Sequence, residues 1–186
     1  MALFHLEPHP DTPSKSGFQV YAFAKRWNPL ELVLTFSIRD SVPKIAWYEP
    51  TQEGRYDELW KHSCFEAFVQ PVARDDYVEL NFAPEKRWAL YDLDGYRSGL
   101  RNSAEAALRD MRFTSQEQLS YAVCSMRVTL DLPPSFADVP WNVGLSTIIE
   151  ETDGTKSYWA LAHAPGPPDF HNADCFIATL PAPAAP

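Results

Sequence analysis

Glu66, Glu79, Asn81 and Arg97 are the residues of this sequence whose types and spacing could do chemistry together. Carboxylates accept hydrogen bonds, a guanidinium only donates, and a primary amide does both. A mixed set of this kind suits the hydroxyls of a neutral polyol. Trp88 and Tyr91 fall between Asn81 and Arg97 in the stretch YVELNFAPEKRWALYDLDGYR, residues 77–97, and Trp159 and His163 follow much later. Indole and phenol rings offer flat apolar faces to a sugar ring or another flat ligand. Trp88 follows the polar turn EKR and is expected to be exposed; Trp60 is a further candidate ring. These residues form a candidate ligand-binding set.

The same residues admit other readings. Two carboxylates close together repel and need a partner; Arg97 is the first choice and Lys61 the second. A structural Glu–Arg network is the plainer outcome. Glu66 and Glu79 could also be the acid and base of a glycoside hydrolase, which needs two carboxyls about 5–10 Å apart. An arginine partner would hold both ionised, which removes the acid. Further along, His163, Asp169 and His171, with Cys64 or Asp174, offer metal-ligand types, but their spacing matches no established metal motif. Asp169 is therefore expected to cap its loop and the histidines to bond backbone, with no metal. DLDG, residues 92–95, lacks the later acidic ligands of a calcium loop and reads as a turn. No phosphate loop, dinucleotide fingerprint, GxSxG or HExxH is present.

The elements that must position these side chains have a period of two. In LELVLTFSIR, Leu30, Leu32, Leu34, Phe36 and Ile38 share one face, and Glu31, Thr35, Ser37 and Arg39 the other. In YAVCSMRVTL, Ala122, Cys124, Met126, Val128 and Leu130 do the same. WNVGLSTIIE and KSYWALAH are further strands, and ETDGTK reads as a hairpin turn at Asp153-Gly154. CFEAFVQP and YVELNFAP read as neighbouring strands joined by VARDD. If Phe65, Ala67, Val69, Val78, Leu80 and Phe82 face the core, Glu66, Glu79 and Asn81 share the opposite face. They then lie within cross-strand reach, about 5–8 Å. NSAEAALRDMRF, residues 102–113, reads as a helix capped at Asn102 or as a strand through Met111 and Phe113, and both stay open.

Many short strands with few helix signals predict an all-β fold. The form expected is an antiparallel β-sandwich of jelly-roll or immunoglobulin-like type, with at most one or two short helices. The 186 residues suit one domain, with an irregular lead-in over about 1–17 and a Pro-rich tail over about 181–186. A net charge of −9 argues against a general grip on nucleic acid or anionic lipid. Three widely spaced cysteines, Cys64, Cys124 and Cys175, read as reduced and buried. MALFHLEPHP has neither a basic start nor an apolar core of a signal peptide, so a cytoplasmic location is expected. No run approaches about 18 apolar residues, so no membrane span is expected.

The block LWKHSCFEAFVQP…YVELNFAPEKRWALYDLDGYRSG, with the later YWALAHAPGPPDFH, resembles the bacterial DOMON-like proteins. Those are similar in turn to the family 9 carbohydrate-binding modules. The resemblance spans residues 18–180. It implies a sandwich of two antiparallel sheets and a non-catalytic role in ligand binding. Members of the wider superfamily bind carbohydrate or haem. For sugar, the matching positions are Trp88, Glu66, Glu79, Asn81 and Arg97, with Trp159 a second ring. For haem, the cytochrome relatives use axial Met and His; Met111, Met126, His163 and His171 are present, none in a matching motif. The function expected is a small-molecule binding module for a carbohydrate or a sugar-containing metabolite such as a sugar nucleotide. The alternatives are a haem- or metal-binding domain, a glycoside hydrolase, and a protein-interaction module that uses exposed aromatics.

Overall fold

The computed structural model describes residues 2–40, 45–47, 52–84, 86–117 and 122–183. Strands dominate. In chain order they are β1 (Ala2–Pro8), β2 (Gln19–Arg26), β3 (Glu31–Asp40), β4 (Gly54–Arg55), β5 (Cys64–Pro71), β6 (Tyr77–Ala83) and β7 (Arg87–Leu93). They continue with β8 (Arg101–Asn102), β9 (Ala107–Glu117), β10 (Ala122–Asp131), β11 (Trp141–Glu150), β12 (Lys156–Ala160) and β13 (Ala178–Leu180). The only helical elements among the described residues are three single 3-10 turns, at Leu59–Lys61, Pro134–Phe136 and Ala173–Cys175. That is one more short turn than the sequence predicts. No helix there is long and apolar enough to cross a membrane.

Hydrogen bonding runs through one ladder, in the order β4-β7-β6-β5-β11-β12-β1-β2-β3-β10-β9, with β13 on β11 and β8 on β7. All neighbours are antiparallel except the two-residue β4, which lies parallel to β7. The sheet is curled. Phe36 of β3 and Phe65 of β5 are distant along the ladder, yet their ring centroids are 5.5 Å apart. Between them lies the main core, which takes Leu32, Leu34, Phe36 and Ile38 from β3 and Met126, Val128 and Leu130 from β10. From the other half come Phe65, Ala67, Val69, Val78, Leu80 and Phe82. Burying each large apolar side chain here stabilises the fold by about 1.5–3 kcal/mol.

β1 makes the join. Its residues 2–6 pair with β2, and Glu7 and Pro8 pair with Ala160 and Trp159 of β12. This corrects the irregular lead-in expected over residues 1–17. The proline- and serine-rich run that follows masks a strand whose Leu6 is fully buried. Residues 181–183 carry no element, as a Pro-rich tail should, and 184–186 lie outside the described residues.

The ambiguous segment is strand. β9 pairs with β10 along its length, with a register shift between Thr129 and Leu130. Leu108, Met111 and Phe113 all reach the main core, although the first two are three positions apart. A bulge adds one residue to a strand and restores the inward face after it. The three-residue spacing that imitates a helix is the trace of that bulge.

Candidate ligand-binding site

The outer face of β5, β6, β7, β11 and β12 carries the site. The alternation read from the sequence holds here. Phe65, Ala67 and Val69 go to the main core; Cys64 and Phe68 go to a second apolar cluster on the other face, with Tyr77, Tyr91, Leu93 and Ile148. Across the ladder, Glu66 is opposite both Asn81 and Ser146, Phe68 is opposite Glu79, and Glu79 is opposite Tyr91. Glu66, Glu79, Asn81 and Ser146 therefore stand together on this face.

The face is roofed by the chain after β12. Phe176 stacks on Phe68 with ring centroids 5.6 Å apart. The ring comes so close to the sheet that a Cβ on Gly144 would lie 2.6 Å from it. Phe170 is buried beside Tyr158, and the ring of His171 lies 5.1 Å from that of Phe68. Where the roof stops short, a cavity of about 390 Å³ opens. That is near the small end of the range for small-molecule sites. Glu66, Glu79, Arg97 and His171 form its polar side, and Trp60, Leu93, Ile148, Tyr158 and Phe170 its apolar side. Leu100 and Pro168 complete the lining.

The floor is polar and under-satisfied. Asn81 Nδ2 donates to Glu79 Oε1 at 2.7 Å. Glu66 Oε1, Glu79 Oε2, Asn81 Oδ1 and Ser146 Oγ are buried with no hydrogen-bond partner among the described residues. Such groups are rare because each carries a desolvation cost of about 1–3 kcal/mol. Of the four, Glu66 and Glu79 line the cavity, where their oxygens are open to a group that is not protein.

Burial pushes the Glu66 carboxyl well above its ordinary range, and the Glu79 charge adds to the rise; a hydrogen bond with Cys64 and the Arg97 charge offset part of it. Burial also raises Glu79, against the Asn81 hydrogen bond and Arg97. Arg97 was expected to neutralise these two. Instead its guanidinium donates to Asp169 Oδ1 at 2.7 Å, and Asp169 Oδ2 accepts from the Tyr96 hydroxyl at 2.7 Å. Lys61, the second choice, bonds Glu58 at 2.6 Å. Arg97 turns this way because residues 95–98 form a tight turn, with Arg97 at φ 51° in the left-handed region. That conformation costs about 1–2 kcal/mol for a side-chain-bearing residue. The expectation that an arginine keeps both glutamates ionised is thereby reversed: each is shifted toward its neutral form.

His171 completes the polar wall. Its Nδ1 lies 2.8 Å from the Tyr77 hydroxyl, and its Nε2 lies 3.8 Å from Glu79 Oε2. Burial and the Arg97 charge lower its pKa to about 4, so the imidazole is neutral at pH 7.

The other expected residues lie apart from the cavity. Trp88 packs against the main core, on the far face of β7 from Tyr91. Trp159 is 4% exposed in the same core, and its Nε1 donates to Ser157 Oγ at 2.9 Å. Neither indole reaches the cavity, because each sits at the inward parity of its strand. Tyr91 is on the right face but lies behind Trp60, edge-on at 6.2 Å, with its hydroxyl donating to Asp57 at 2.7 Å. His163 Nε2 bonds the Glu7 carbonyl oxygen at 2.8 Å, outside the cavity lining. Asn81 acts through Glu79.

Sequence reasoning left out Tyr158 and Phe170 and set His171 aside. Tyr158 was accessible by parity, since it lies opposite Trp159 on β12. Phe170 and His171 come from an irregular loop, where no period assigns a face.

Among the described residues, no group of three or more His, Cys, Asp or Glu is arranged to hold a metal ion. Axial haem ligation does not fit either. Met111 and Met126 pack with the main core, on the opposite side of the sheet from His171.

These features define a class: a curled, almost wholly antiparallel β protein with a small acidic and aromatic cavity on its outer face. No protein-family model matches the sequence, and no curated protein matches it. Among solved structures, it is similar to a candidate carbohydrate-binding protein from Bacteroides uniformis, at 14% identity and a TM-score of 0.64, over 98% of this chain and 87% of that one. It also aligns with a family 9 carbohydrate-binding module from Caldicellulosiruptor kristjanssonii. The complex with glucose gives 8% identity and a TM-score of 0.48, over 97% of this chain and 86% of that one. The complex with cellotriose gives 8% and 0.47, over 96% and 82%. The first likeness is one of fold.

Proposed function

We propose that this chain is a non-catalytic binding module of β-sandwich type, and that a carbohydrate occupies the cavity over Glu66 and Glu79. The observation that carries the reading is the pair of unpartnered buried carboxyl oxygens, one on Glu66 and one on Glu79, in a cavity walled by Trp60 and Tyr158. Hydroxyls of a sugar would satisfy those atoms, and the apolar face of its ring would lie on the aromatic wall. The cavity volume suits one or two sugar rings rather than a long chain. The fold shared with the Bacteroides uniformis protein supports the same reading.

Tryptophan fluorescence and titration calorimetry with a panel of mono- and disaccharides test it. Binding at about mM to µM affinity is expected, with a fluorescence change lost in Trp60→Ala. A panel with no binder, or binding unaffected by both Trp60→Ala and Glu79→Gln, would overturn it. Aryl glycosides incubated with the protein should bind without being cleaved.

A further inference from the structure

The floor of the cavity has an acidic character that a neutral sugar answers only with hydrogen bonds, not with charge. Glu66 and Glu79 are each 3% exposed, and both line the cavity. Their unpartnered atoms, Glu66 Oε1 and Glu79 Oε2, are carboxyl oxygens. When ionised, a carboxylate only accepts. A hydroxyl brings one donor and its own lone pairs. A protonated amine brings three donors, no acceptor and a positive charge. Of the common groups on sugars, the amine matches this floor.

The charge balance points the same way. Glu66 and Glu79 line the site, and among the described residues Arg97, bonded to Asp169, is the one cation in the lining. Its charge is taken up by Asp169 at 2.7 Å, and its side chain is half exposed. His171 is neutral at pH 7. Counted in their charged forms these groups carry more negative than positive charge, so a cation suits the site better than a phosphate or sugar nucleotide. Trp60, Tyr158 and Phe170 supply ring faces, which attract a desolvated cation by about 1–2 kcal/mol. Burial and the Glu79 charge raise Glu66, and burial raises Glu79, so a cation placed between them favours their charged forms.

We infer that the bound sugar carries a protonated amine, and that this amine docks on Glu66 and Glu79 while the ring lies against the aromatic wall. This inference rests on the carbohydrate reading above. The class of ligand is an amino sugar with a free amine, not its acetylated form, since acetylation removes the charge and two of the donors.

The test is calorimetric titration of the wild-type protein near neutral pH with D-glucosamine, D-glucose, N-acetyl-D-glucosamine and, as an amine without a sugar, cyclohexylamine. Glucosamine should bind at least about tenfold more tightly than glucose and N-acetylglucosamine. In Glu79→Gln that advantage should shrink to within about threefold. Should glucose or the acetylated sugar bind as tightly as glucosamine, the amine inference falls and the carbohydrate reading stands. Should cyclohexylamine bind as tightly as glucosamine, the amine site stands and the carbohydrate reading falls. If glucosamine does not bind, the inference is wrong whatever the other probes do.

Discussion

Tyr77 and His171 are joined at 2.8 Å, phenol oxygen to Nδ1, and this bond decides which edge of the imidazole meets the glutamates. The Tyr77 oxygen already accepts from the Arg97 backbone N–H at 3.3 Å. Its own proton is left to give, so Nδ1 accepts it and the ring proton sits on Nε2, facing Glu79 Oε2 across 3.8 Å. One side chain thus links the arginine turn to the acidic floor.

Acid stability follows from these groups with opposite signs. His171 has a pKa lowered from 6.5 to about 4, so between those values the unfolded chain binds more protons. Stability from His171 is therefore lost as the pH falls from 6.5 toward 4. Glu66 has a pKa raised above 4.5, so the folded chain binds more protons above that value. Its contribution is present below 4.5 and lost as the pH rises through the raised value. Thermal midpoints measured between pH 4 and 7 separate the two. His171→Gln should flatten the acid loss of stability. Glu66→Gln should steepen it and raise the midpoint at neutral pH. Parallel profiles in wild type and both variants would sink this account.

Trp60 and Trp88 should part company under substitution. Trp60 lines the cavity, whereas Trp88 packs against the main core on the other side of the sheet. Trp60→Ala is expected to weaken sugar binding by about tenfold or more, about 1.4 kcal/mol, with little change in thermal midpoint. Trp88→Ala should cost about 2–3 kcal/mol of stability, lowering the midpoint by about 5–10 °C, with the affinity kept. Calorimetry and thermal scans on the two variants check this, and a reversed pattern would move the site to the other face.

The contrast between these two indoles also shows how much of the site was legible. Period two placed Glu66, Glu79 and Asn81 on one face without coordinates, because a strand admits only two sides. The same rule applied to RWALYDL puts Trp88 with Leu90, inward, and Tyr91 with Leu93, outward. The polar turn before Trp88 pointed to exposure instead, and that local signal loses to parity when the whole strand is paired. β9 was ambiguous because its bulge breaks the period, and β1 was read as irregular because prolines follow it. The partner of Arg97 was not legible at all. It depends on a left-handed turn and on a loop more than seventy residues later, and no sequence period connects them.

Asp169 should hold the mouth of the cavity. It accepts from the Tyr96 hydroxyl, the Arg97 guanidinium and the His171 backbone N–H. Burial raises its pKa, but these hydrogen bonds outweigh that and leave it below 3.8. Its contribution is present above 3.8 and lost as the pH falls through the depressed value. Asp169→Asn is expected to cost only about 1 kcal/mol, since the Arg97 side chain is 53% exposed and water screens the pair. Amide exchange of residues 95–98 and 168–171 should accelerate while the exchange of β5 and β6 does not. Unchanged exchange at both segments would mean that the pair orders neither.

Gly144 tests whether the roof is what shapes the cavity. The residue sits in β11 opposite Phe68, and a Cβ there would lie 2.6 Å from Cδ1 of Phe176 and 3.5 Å from Cβ of Phe68. Phe176 cannot yield freely, because it is held between Phe68 and Tyr77, at 5.6 Å and 5.7 Å. Gly144→Ala must therefore lift the ring, and with it the turn at Ala173–Cys175, whose Cys175 shares the second apolar cluster with Phe170. Overpacking of this kind costs about 1–3 kcal/mol. Since Phe170 and His171 lie just before that turn and line the cavity, the variant should also lose affinity for whatever ligand the wild type binds, although Gly144 is absent from the cavity lining. A stability loss with unchanged affinity would show that the roof closes the second apolar cluster without setting the geometry of the site.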